Sequence, residues 1–321
     1  MNAYLVTILT LVSLSILVGF ALNLQWGMCG LVNFGLAGLF CLGAYTCALI
    51  ALAGGGVLLA VSSAMITVAL ACAALALLAV RLSNEYLAIM SLGLSEIVRL
   101  IALGEGWLTN GALGLPGIPR PFAEFVPGAQ YGVFFLLLCV LAVALVFAVL
   151  EWLTRSPFGR VLRALREDDT VAATLGKPVL RLRVIAFALG GAIIGLAGAL
   201  HAFYFTYVDP SQFTPIITAF AFMAVIAGGR GSHTGLLLGA MSIMLLVEST
   251  RFLKDFVDIL DASQLAAVRL IAIGAGLIVL LIYRPQGLRP EYRLRVQSPE
   301  DRAPASSVTH LEPLHESHYT H

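Results

Sequence analysis

The sequence predicts an all-α, polytopic membrane protein on the basis of its composition, the length of its apolar blocks and the placement of its charges. Hydrophobic residues make up 60% of the 321 residues and charged residues only 12%, about half the charged fraction of a typical soluble domain. The apolar residues form uninterrupted blocks, each close to the ~20 helical residues that cross a hydrocarbon core. Barrel strands would instead alternate apolar and polar residues over short segments.

About nine transmembrane helices follow from these blocks. Their approximate ranges are 3–24, 30–52, 57–80, 86–103, 131–153, 183–206, 213–229, 234–250 and 265–283. The first block has no basic n-region and no small-residue cleavage site, so we interpret it as a retained helix. Two glycine-rich stretches, 27–45 and 227–240, interrupt the spans. Because glycine weakens a helix yet lets helices approach closely, each stretch is either tightly packed or broken.

The basic residues predict the orientation of the chain. If residues 155–183 are cytoplasmic, alternation of the nine spans puts fourteen of the nineteen Lys and Arg residues inside, in agreement with the positive-inside rule. The N-terminus then lies outside and the C-terminus inside. Residues 1–288 form the predicted transmembrane domain. Residues 289–321 lack an apolar repeat, so we predict a disordered cytoplasmic tail.

Residues 156–183 form the longest polar segment between two apolar blocks. We predict one amphipathic helix over residues 161–175, ended by Gly176 and the following Lys177-Pro178. Its apolar residues are Val161, Leu162, Leu165, Val171, Ala172 and Leu175. A short helix between two spans suits a docking element for a soluble partner and equally an ordinary interfacial helix. The spacing leaves both interpretations open.

Two pairs of ionisable residues lie near the predicted outer ends of spans. Glu96 and Arg99 are three residues apart, as are Glu248 and Arg251, so the members of each pair share a helix face and could pair. A charge in the bilayer costs ~2.5–3.5 kcal/mol, so such residues are candidates for function. They suit the outer mouth, contact with a binding protein, or structural pairing. His201 is isolated, and we interpret it as a hydrogen-bonded core histidine.

The sequence offers little support for an enzyme. Ser232 and His233 adjoin, but a nucleophile and its base must face each other, which neighbouring residues rarely do. The chain has no GxxxxGK[ST] phosphate loop, and its cysteines and the histidines of its tail lack metal-ligand spacing. We therefore predict no catalytic residue, metal or cofactor in this chain. An ATP-driven permease, an ion-driven secondary transporter and a passive channel remain.

Six motifs, in order along the chain, resemble those of branched-chain amino-acid ABC permeases. They are GLVNFGLAGLFCLGAY (30–45), NEYLAIMSLGLSEIVRL (84–100), LTNGALGLPGIP (108–119), GRVLRALREDDTVAATLGKPVLRLRVIAFALGGAIIGLAGAL (159–200), AGGRGSHTGLLLGA (227–240) and YRPQGL (283–288). The resemblance covers nearly all of residues 20–290, and the second and third motifs favour the M-type subunit over the H-type subunit. Arg230 is a departure, because the family more often has an uncharged residue between these glycines.

The resemblance implies a bacterial inner-membrane permease subunit of an ATP-driven importer. The implied solute is a branched-chain amino acid or a related small solute, such as urea or a short amide. The implied partners are an H-type permease subunit, two ABC ATPase subunits that hydrolyse the ATP, and a periplasmic solute-binding protein. The alternative is an ion-driven secondary transporter of small amino acids.

The motifs and the charged pairs together give residues for two expected sites. The coupling residues toward the ATPase are Gly159, Arg163, Leu165, Arg166, Glu167, Asp168, Ala172, Ala173 and Gly176. The residues of the pathway or outer mouth are Asn33, Phe34, Glu96, Arg99, Glu248 and Arg251. A Gly176→Leu substitution, or an arginine in place of Ala164 or Ala172, should then uncouple transport from ATP hydrolysis while membrane insertion continues.

Overall fold

A chain inside a bilayer must satisfy its own backbone hydrogen bonds, and a helix does so within one segment. The computed structural model describes residues 2–79, 84–124, 126–128, 130–253, 262–284 and 286–289, and most of them are helical. Apart from Arg289, the predicted tail over 289–321 lies outside the described residues, so the domain boundary stays a prediction.

The helices follow the apolar blocks closely. In chain order they are α1 (Asn2–Leu22), α2 (Leu36–Leu52), α3 (Val57–Ala79), α4 (Asn84–Gly104), α5 (Gly106–Thr109), α6 (Tyr131–Arg155), α7 (Pro157–Glu167), α8 (Asp169–Thr174), α9 (Val179–Phe205), α10 (Pro215–Gly228), α11 (His233–Leu253) and α12 (Ala262–Tyr283). A π-helical turn at Asn23–Met28 continues α1, and 3₁₀ turns occupy Gly111–Leu113 and Pro210–Gln212.

Each of the nine predicted ranges contains a helix, and the helices differ in length. Six stretches are long and apolar enough to cross a membrane: Tyr4–Met28, Val57–Ala79, Glu85–Gly104, Tyr131–Arg155, Val179–Phe205 and Pro210–Gly228. Three apolar stretches are shorter over their described residues: Leu36–Leu52, His233–Val247 and Ile273–Tyr283. The chain is therefore a multi-pass, mainly helical membrane protein, and the count of nine spans stays a prediction.

A two-stranded antiparallel sheet is an exception to the all-α prediction. Strand β1 (Leu115–Pro116) pairs with β2 (Tyr207–Val208), in the register Leu115↔Val208 and Pro116↔Tyr207. Strands of two residues are too short to give a periodic pattern in the sequence. The pairing ties the glycine- and proline-rich connection after α4 to the end of α9. Gly114 permits it, because a Cβ there would lie 2.4 Å from the carbonyl oxygen of Val208.

Glycines of α9 pack closely against the backbone of α3. A Cβ added at Gly191 would lie 2.6 Å from the carbonyl oxygen of Val68, and one at Gly195 would lie 2.5 Å from that of Ala64. Small residues let membrane helices approach this closely, because lipid provides no hydrophobic force between them. Helices α3 and α9 therefore pack backbone against backbone, a contact that the sequence analysis did not identify.

We expect Gly195→Val to destabilise the protein, because the added side chain overpacks the contact between α9 and α3, at a cost of about 1–3 kcal/mol. The matched control is Gly93→Val on α4, where a Cβ would meet nothing within 4 Å. Thermal unfolding of both purified variants in detergent measures the effect. Equal midpoints for the two variants would contradict the packing.

Candidate functional site

The chain leaves α-helical geometry between α1 and α2. The π-helical turn Asn23–Met28 is followed by Gly30, which has a φ of +84°, and α2 begins only at Leu36. We call residues 23–35 the helix break. The glycine-rich stretch 27–45 is therefore broken in its first half and helical in its second. The other stretch, 227–240, contains the turn between α10 and α11.

Hydroxyl groups of neighbouring helices satisfy the backbone at the helix break. Gly35 precedes α2 and has no side chain to cap it, so α4 and α10 supply the acceptors. The hydrogen bonds run from Phe34 N to Ser91 Oγ at 2.9 Å, from Ala37 N to Thr218 Oγ1 at 3.1 Å and from Gly38 N to Ser95 Oγ at 2.7 Å. These bonds matter because an unpaired backbone group in hydrocarbon costs several kcal/mol.

Asn33 lies inside the subunit and stabilises the break. The residue is fully buried. Its Nδ2 donates to Gln25 Oε1 at 2.9 Å, and its Oδ1 accepts from the Gly35 amide at 2.8 Å. Gln25 Nε2 donates in turn to the carbonyl oxygen of Phe187 at 3.3 Å. The structure therefore gives Asn33 a structural role, while its predicted contact with a solute stays a prediction.

Phe34 is the exposed residue of the break and belongs to a row of aromatic rings. Its side chain is 38% exposed and stacks on Phe222 with ring centroids 4.6 Å apart. Trp26 lies 5.1 Å from Phe222, and the Arg230 guanidinium lies 4.6 Å from the Trp26 centroid. That distance is within the range of a cation–π contact. The unusual charge of Arg230 thus has an aromatic contact beside the break.

The predicted helix over 161–175 is divided into α7 and α8, and in this respect the prediction was wrong. Asp168 separates the two helices, because its carboxylate accepts from the Thr170 amide at 2.9 Å and the Val171 amide at 3.1 Å as the N-cap of α8. Hydrogen bonds from the Thr170 side chain and from these amides hold the pKa of Asp168 below its usual value.

The predicted end of the segment is confirmed. Gly176 has a φ of +73°, its amide donates to the Ala173 carbonyl at 2.9 Å, and the Lys177 amide donates to the Ala172 carbonyl at 3.2 Å. These two bonds form a Schellman motif, which favours glycine because of its left-handed backbone. Leucine at position 176 would therefore be strained whatever its effect on function.

One side of α7–α8 is buried and the other is exposed. Gly159, Leu162 and Leu165 of α7 are buried, as is Ala172 of α8. The exposed residues include Arg160, Ala164, Glu167, Asp168, Val171, Ala173, Leu175 and Gly176. Two of the residues predicted on the apolar side, Val171 and Leu175, are however 54% and 73% exposed.

Arg166 joins α7 to the helix break. Its guanidinium donates to the carbonyl oxygen of Gly27 in the π-helical turn. The aliphatic part of the side chain packs on Gly30, where an added Cβ would lie 3.1 Å from Arg166 Cγ. A displacement of α7 would therefore act directly on the break.

Two further arginines anchor the segment. Arg163 Nη2 donates to the carbonyl oxygen of Thr154, near the end of α6, at 3.2 Å. Arg183 Nη2 lies 2.8 Å from Asp169 Oδ2 and links α9 to α8. Both contacts fasten α7–α8 to the helices before and after it.

The residues predicted for coupling lie on both sides of the segment. Arg163, Leu165 and Arg166 face the protein, whereas Glu167, Asp168 and Ala173 face outward.

Ser232 and His233 have separate partners. Ser232 Oγ accepts from the Gly235 amide at 3.1 Å in the first turn of α11. The Nδ1 of His233 lies 3.1 Å from Asn23 Nδ2, and its Nε2 lies 2.8 Å from Thr154 Oγ1. The sequence analysis missed this buried network, although polar residues at positions 23 and 25 of an apolar block were a usable signal.

The predicted pairing of Glu96 and Arg99 is confirmed. Arg99 Nε donates to the two carboxylate oxygens of Glu96 at 3.0 and 3.1 Å. Glu96 lies eight residues before Gly104, the end of α4, or about 12 Å along the axis. Glu96 thus lies about two helical turns from the end of α4. Both side chains are partly exposed, at 26% for Arg99 and 44% for Glu96.

The structure does not test the second predicted pair, and it corrects the interpretation of His201. Glu248 and Arg251 lie in α11, and their side chains lie outside the described residues. The interpretation of His201 as a hydrogen-bonded histidine was wrong for Nδ1, which is buried without a partner among the described residues. The ring packs instead among Phe40 and Phe205, with centroids 5.1 and 4.6 Å away.

Several known proteins are similar to this chain. The high-affinity branched-chain amino acid transport system permease protein LivM of Escherichia coli (strain K12) is 33% identical over 312 residues, covering 90% of this chain and 70% of its own length. The probable LivM of Methanocaldococcus jannaschii is 33% identical over 215 residues, 66% of this chain and 61% of its own length. The probable LivH of the same organism is 36% identical over only 91 residues, 28% of each chain.

These alignments confirm the closer resemblance to the M-type subunit, since the LivM relatives align over longer stretches than the LivH relative. No solved structure matches the chain significantly. The family model described as "Branched-chain amino acid transport system / permease component" matches residues 4–281. The chain therefore belongs to the family of branched-chain amino acid transport system permease components.

Proposed function

We propose that this ABC-importer permease subunit forms one half of a membrane path for branched-chain amino acids or a related small solute, such as urea or a short amide. The observation that carries the proposal is the hydrogen bond from Arg166 to the Gly27 carbonyl, which joins an exposed helix pair to the helix break. The similar LivM proteins, named for branched-chain amino acid transport, support the solute class.

The outward side of α7–α8 is the proposed docking surface for an ATPase subunit. It combines the acidic residues Glu167 and Asp168 with the exposed apolar side chains of Val171 and Leu175. Exposed apolar residues rimmed by polar ones are typical of protein-binding surfaces. Glu167, Asp168, Ala173 and Gly176 would contact the ATPase, whereas Gly159, Leu165 and Ala172 hold the segment against the membrane helices.

We propose that movement of the ATPase subunits is transmitted through α7 to the helix break. Arg166 connects α7 to the π-helical turn, and the same break contains Phe34, stacked on Phe222 of α10. The backbone of the break bonds to side chains of other helices instead of to its own next turn, so its position depends on those helices. Movement of α7 would shift Phe34 against Phe222 and open or close the path there.

The face of α4 that contains Glu96 and Arg99 is the proposed pathway side. Both side chains are partly exposed, and they lie well inside a membrane-spanning helix. Charged groups at this depth face a partner subunit or water, because facing lipid costs ~2.5–3.5 kcal/mol each even on lenient scales. An H-type permease subunit in a heterodimer would cover this face, and Glu248 and Arg251 are proposed for the outer mouth.

The remaining parts of the proposal concern topology and partners. We infer nine spans in a bacterial inner membrane, with the N-terminus periplasmic and the C-terminus cytoplasmic, from the excess of basic residues on one side. A periplasmic solute-binding protein would deliver the solute at the loop between Gly104 and Gln130. Two ABC ATPase subunits would bind and hydrolyse ATP, so this chain needs no cofactor of its own.

An ion-driven transporter fits the structure less well. Such a protein favours carboxylates at the bilayer midplane that are available to a coupling ion. Glu96 is already paired with Arg99 through two hydrogen bonds from Nε. The α7–α8 pair has no role in that mechanism, whereas it is central to an ATP-driven one.

We expect Ala164→Arg to release the ATPase subunits, because Ala164 is exposed on the docking side of α7. Co-purification of the ATPases with the tagged chain measures the effect, and ATP-dependent leucine uptake should fall in parallel. Ala112→Arg, an exposed alanine beyond α4, is the matched control and should retain both ATPases. Ala172→Arg is a poorer test than the sequence suggested, because Ala172 is only 3% exposed. Unchanged co-purification of Ala164→Arg would contradict the docking surface.

We expect Arg166→Met to uncouple transport, because it keeps the aliphatic packing on Gly30 and removes the donor to the Gly27 carbonyl. A charged hydrogen bond of ~1.5–3 kcal/mol corresponds to a loss of uptake of about tenfold or more. ATP hydrolysis by the assembled complex should continue. Arg155→Met, which removes an exposed ion pair with Glu151, is the control. If Arg166→Met kept normal uptake per ATP hydrolysed, the proposed link would be refuted.

A further inference from the structure

Two arginines from different parts of the chain contact neighbouring residues of the π-helical turn. Arg166 of α7 donates to the carbonyl oxygen of Gly27. The guanidinium of Arg230, in the turn between α10 and α11, lies 4.6 Å from the ring centroid of Trp26. π-Helical turns within helices occur frequently at functional sites. This one lies between a cation of the proposed coupling segment and a cation of a different element.

The turn that contains Arg230 is fastened to the segment after α12 through its backbone. Two amides of that segment donate to the last carbonyl oxygens of α10, from Leu288 to Ala227 at 2.9 Å and from Arg289 to Gly228 at 3.0 Å. The last carbonyls of a helix need partners from outside the helix, and these bonds supply them. Arg230 therefore has a firm support, whereas the cation on the other side of the π-helical turn lies on α7.

The contact between Arg230 and Trp26 reaches the exposed side of the helix break through a row of rings. The row, called here the aromatic row, consists of Trp26, Phe222 and Phe34, with ring centroids 5.1 Å apart for the first two and 4.6 Å apart for the last two. Phe222 is 9% exposed and Phe34 is 38% exposed. Because close-packed side chains transmit displacements, a movement of Trp26 must be taken up by the other two rings.

The exposed end of the aromatic row lies beside a polar stripe of α4. The Phe34 amide donates to Ser91 Oγ, and Ser91, Ser95 and Arg99 follow one another at intervals of four residues. That spacing places the three side chains along one side of the helix. Arg99 lies about 12 Å along the axis from Ser91. The row therefore lies toward one end of the face that contains Arg99 and Glu96, the proposed pathway side.

We propose that Arg230 is a positioning residue that holds the aromatic row in the closed position of the path. Its guanidinium attracts the face of the Trp26 ring and keeps the three rings together while α7 is at rest. When α7 moves, Arg166 displaces the adjacent Gly27, the indole leaves the guanidinium, and the row separates. The inference rests on the proposed function, and it adds the residue that opposes opening.

The attachment of this turn to the break does not depend on the Arg230 side chain. The Gly231 amide donates to Asn23 Oδ1 at 2.9 Å, and a Cβ added at Gly27 would lie 2.9 Å from the Gly231 nitrogen. His233 Nδ1 lies 3.1 Å from Asn23 Nδ2. Backbone and buried groups therefore hold the turn in place. The exposed side chain of Arg230 adds a weaker contact, which can break and form again.

Passive flux of L-leucine through the importer complex in proteoliposomes, without ATP, tests the proposal. Arg230→Met keeps an aliphatic side chain and removes the charge. Because passive flux follows the population of the open state, it should rise about twofold to thirtyfold, the range that corresponds to one cation–π contact. Arg230→Lys keeps a cation and should stay near the native flux. The matched control is Arg120→Met, which removes a cation–π contact with Tyr131 in the connection after α4, 5.2 Å from guanidinium to centroid, and should leave the flux unchanged.

A double-mutant cycle with Trp26→Leu separates this contact from other effects of the two residues. Trp26→Leu should also raise the passive flux. The double variant with Arg230→Met should leak no more than the leakier single variant, because each substitution already removes the same contact. Increases that multiply in the double variant would show independent effects and overturn the proposal.

The outcomes separate the gate from the proposed function. Raised passive flux in Arg230→Met, with ATP hydrolysis retained, supports the gate. Native flux in this variant, in a complex that still imports leucine with ATP, overturns the gate alone. Loss of the ATPases on co-purification assigns Arg230 to the docking surface, and a lower unfolding midpoint without a leak assigns it to packing; either result overturns the proposal. If the native complex imports no leucine with ATP, the proposed function fails, and the gate fails with it.

Discussion

A broken helix inside a bilayer is the constraint on which the rest of this structure depends. Hydrocarbon offers no hydrogen bonds, so the backbone of residues 23–35 must find its partners within the protein. Ser91, Ser95 and Thr218 supply them from α4 and α10. The same bonds fix where α2 begins and how closely α4 and α10 approach it. The break is therefore held from two neighbouring helices by single hydroxyl groups.

The proposed coupling segment, α7–α8, contacts this break through few residues. Leu162 and Leu165 bury one side of α7, and Arg166 adds the polar contact to the π-helical turn. Asp168 then starts a second helix, which leaves Val171 and Leu175 on the outside. The segment thus has one side buried against the membrane helices and an exposed side, which is the proposed docking surface.

The helix positions and the family could be predicted from the sequence, because each depends on local information. Apolar blocks of about twenty residues indicate helices wherever they occur. The Gly176-Lys177-Pro178 signal predicted a helix end that the Schellman bonds confirm. The E-x-x-R spacing of Glu96 and Arg99 predicted their pairing, because three residues bring side chains onto one helix face. The sequence analysis missed the division at Asp168, because the amphipathic pattern continues through this residue and conceals its role as an N-cap.

The sequence by itself determined the membrane class, the helix order and the M-type resemblance, because hydropathy and motif order are properties of the chain alone. Only the tertiary structure decided which glycines mark a break and which mark close packing, since a glycine permits both. It also decided that Asn33 faces inward to Gln25, and that His201 meets aromatic rings. These facts depend on residues that lie far apart in the chain and meet only when the helices pack.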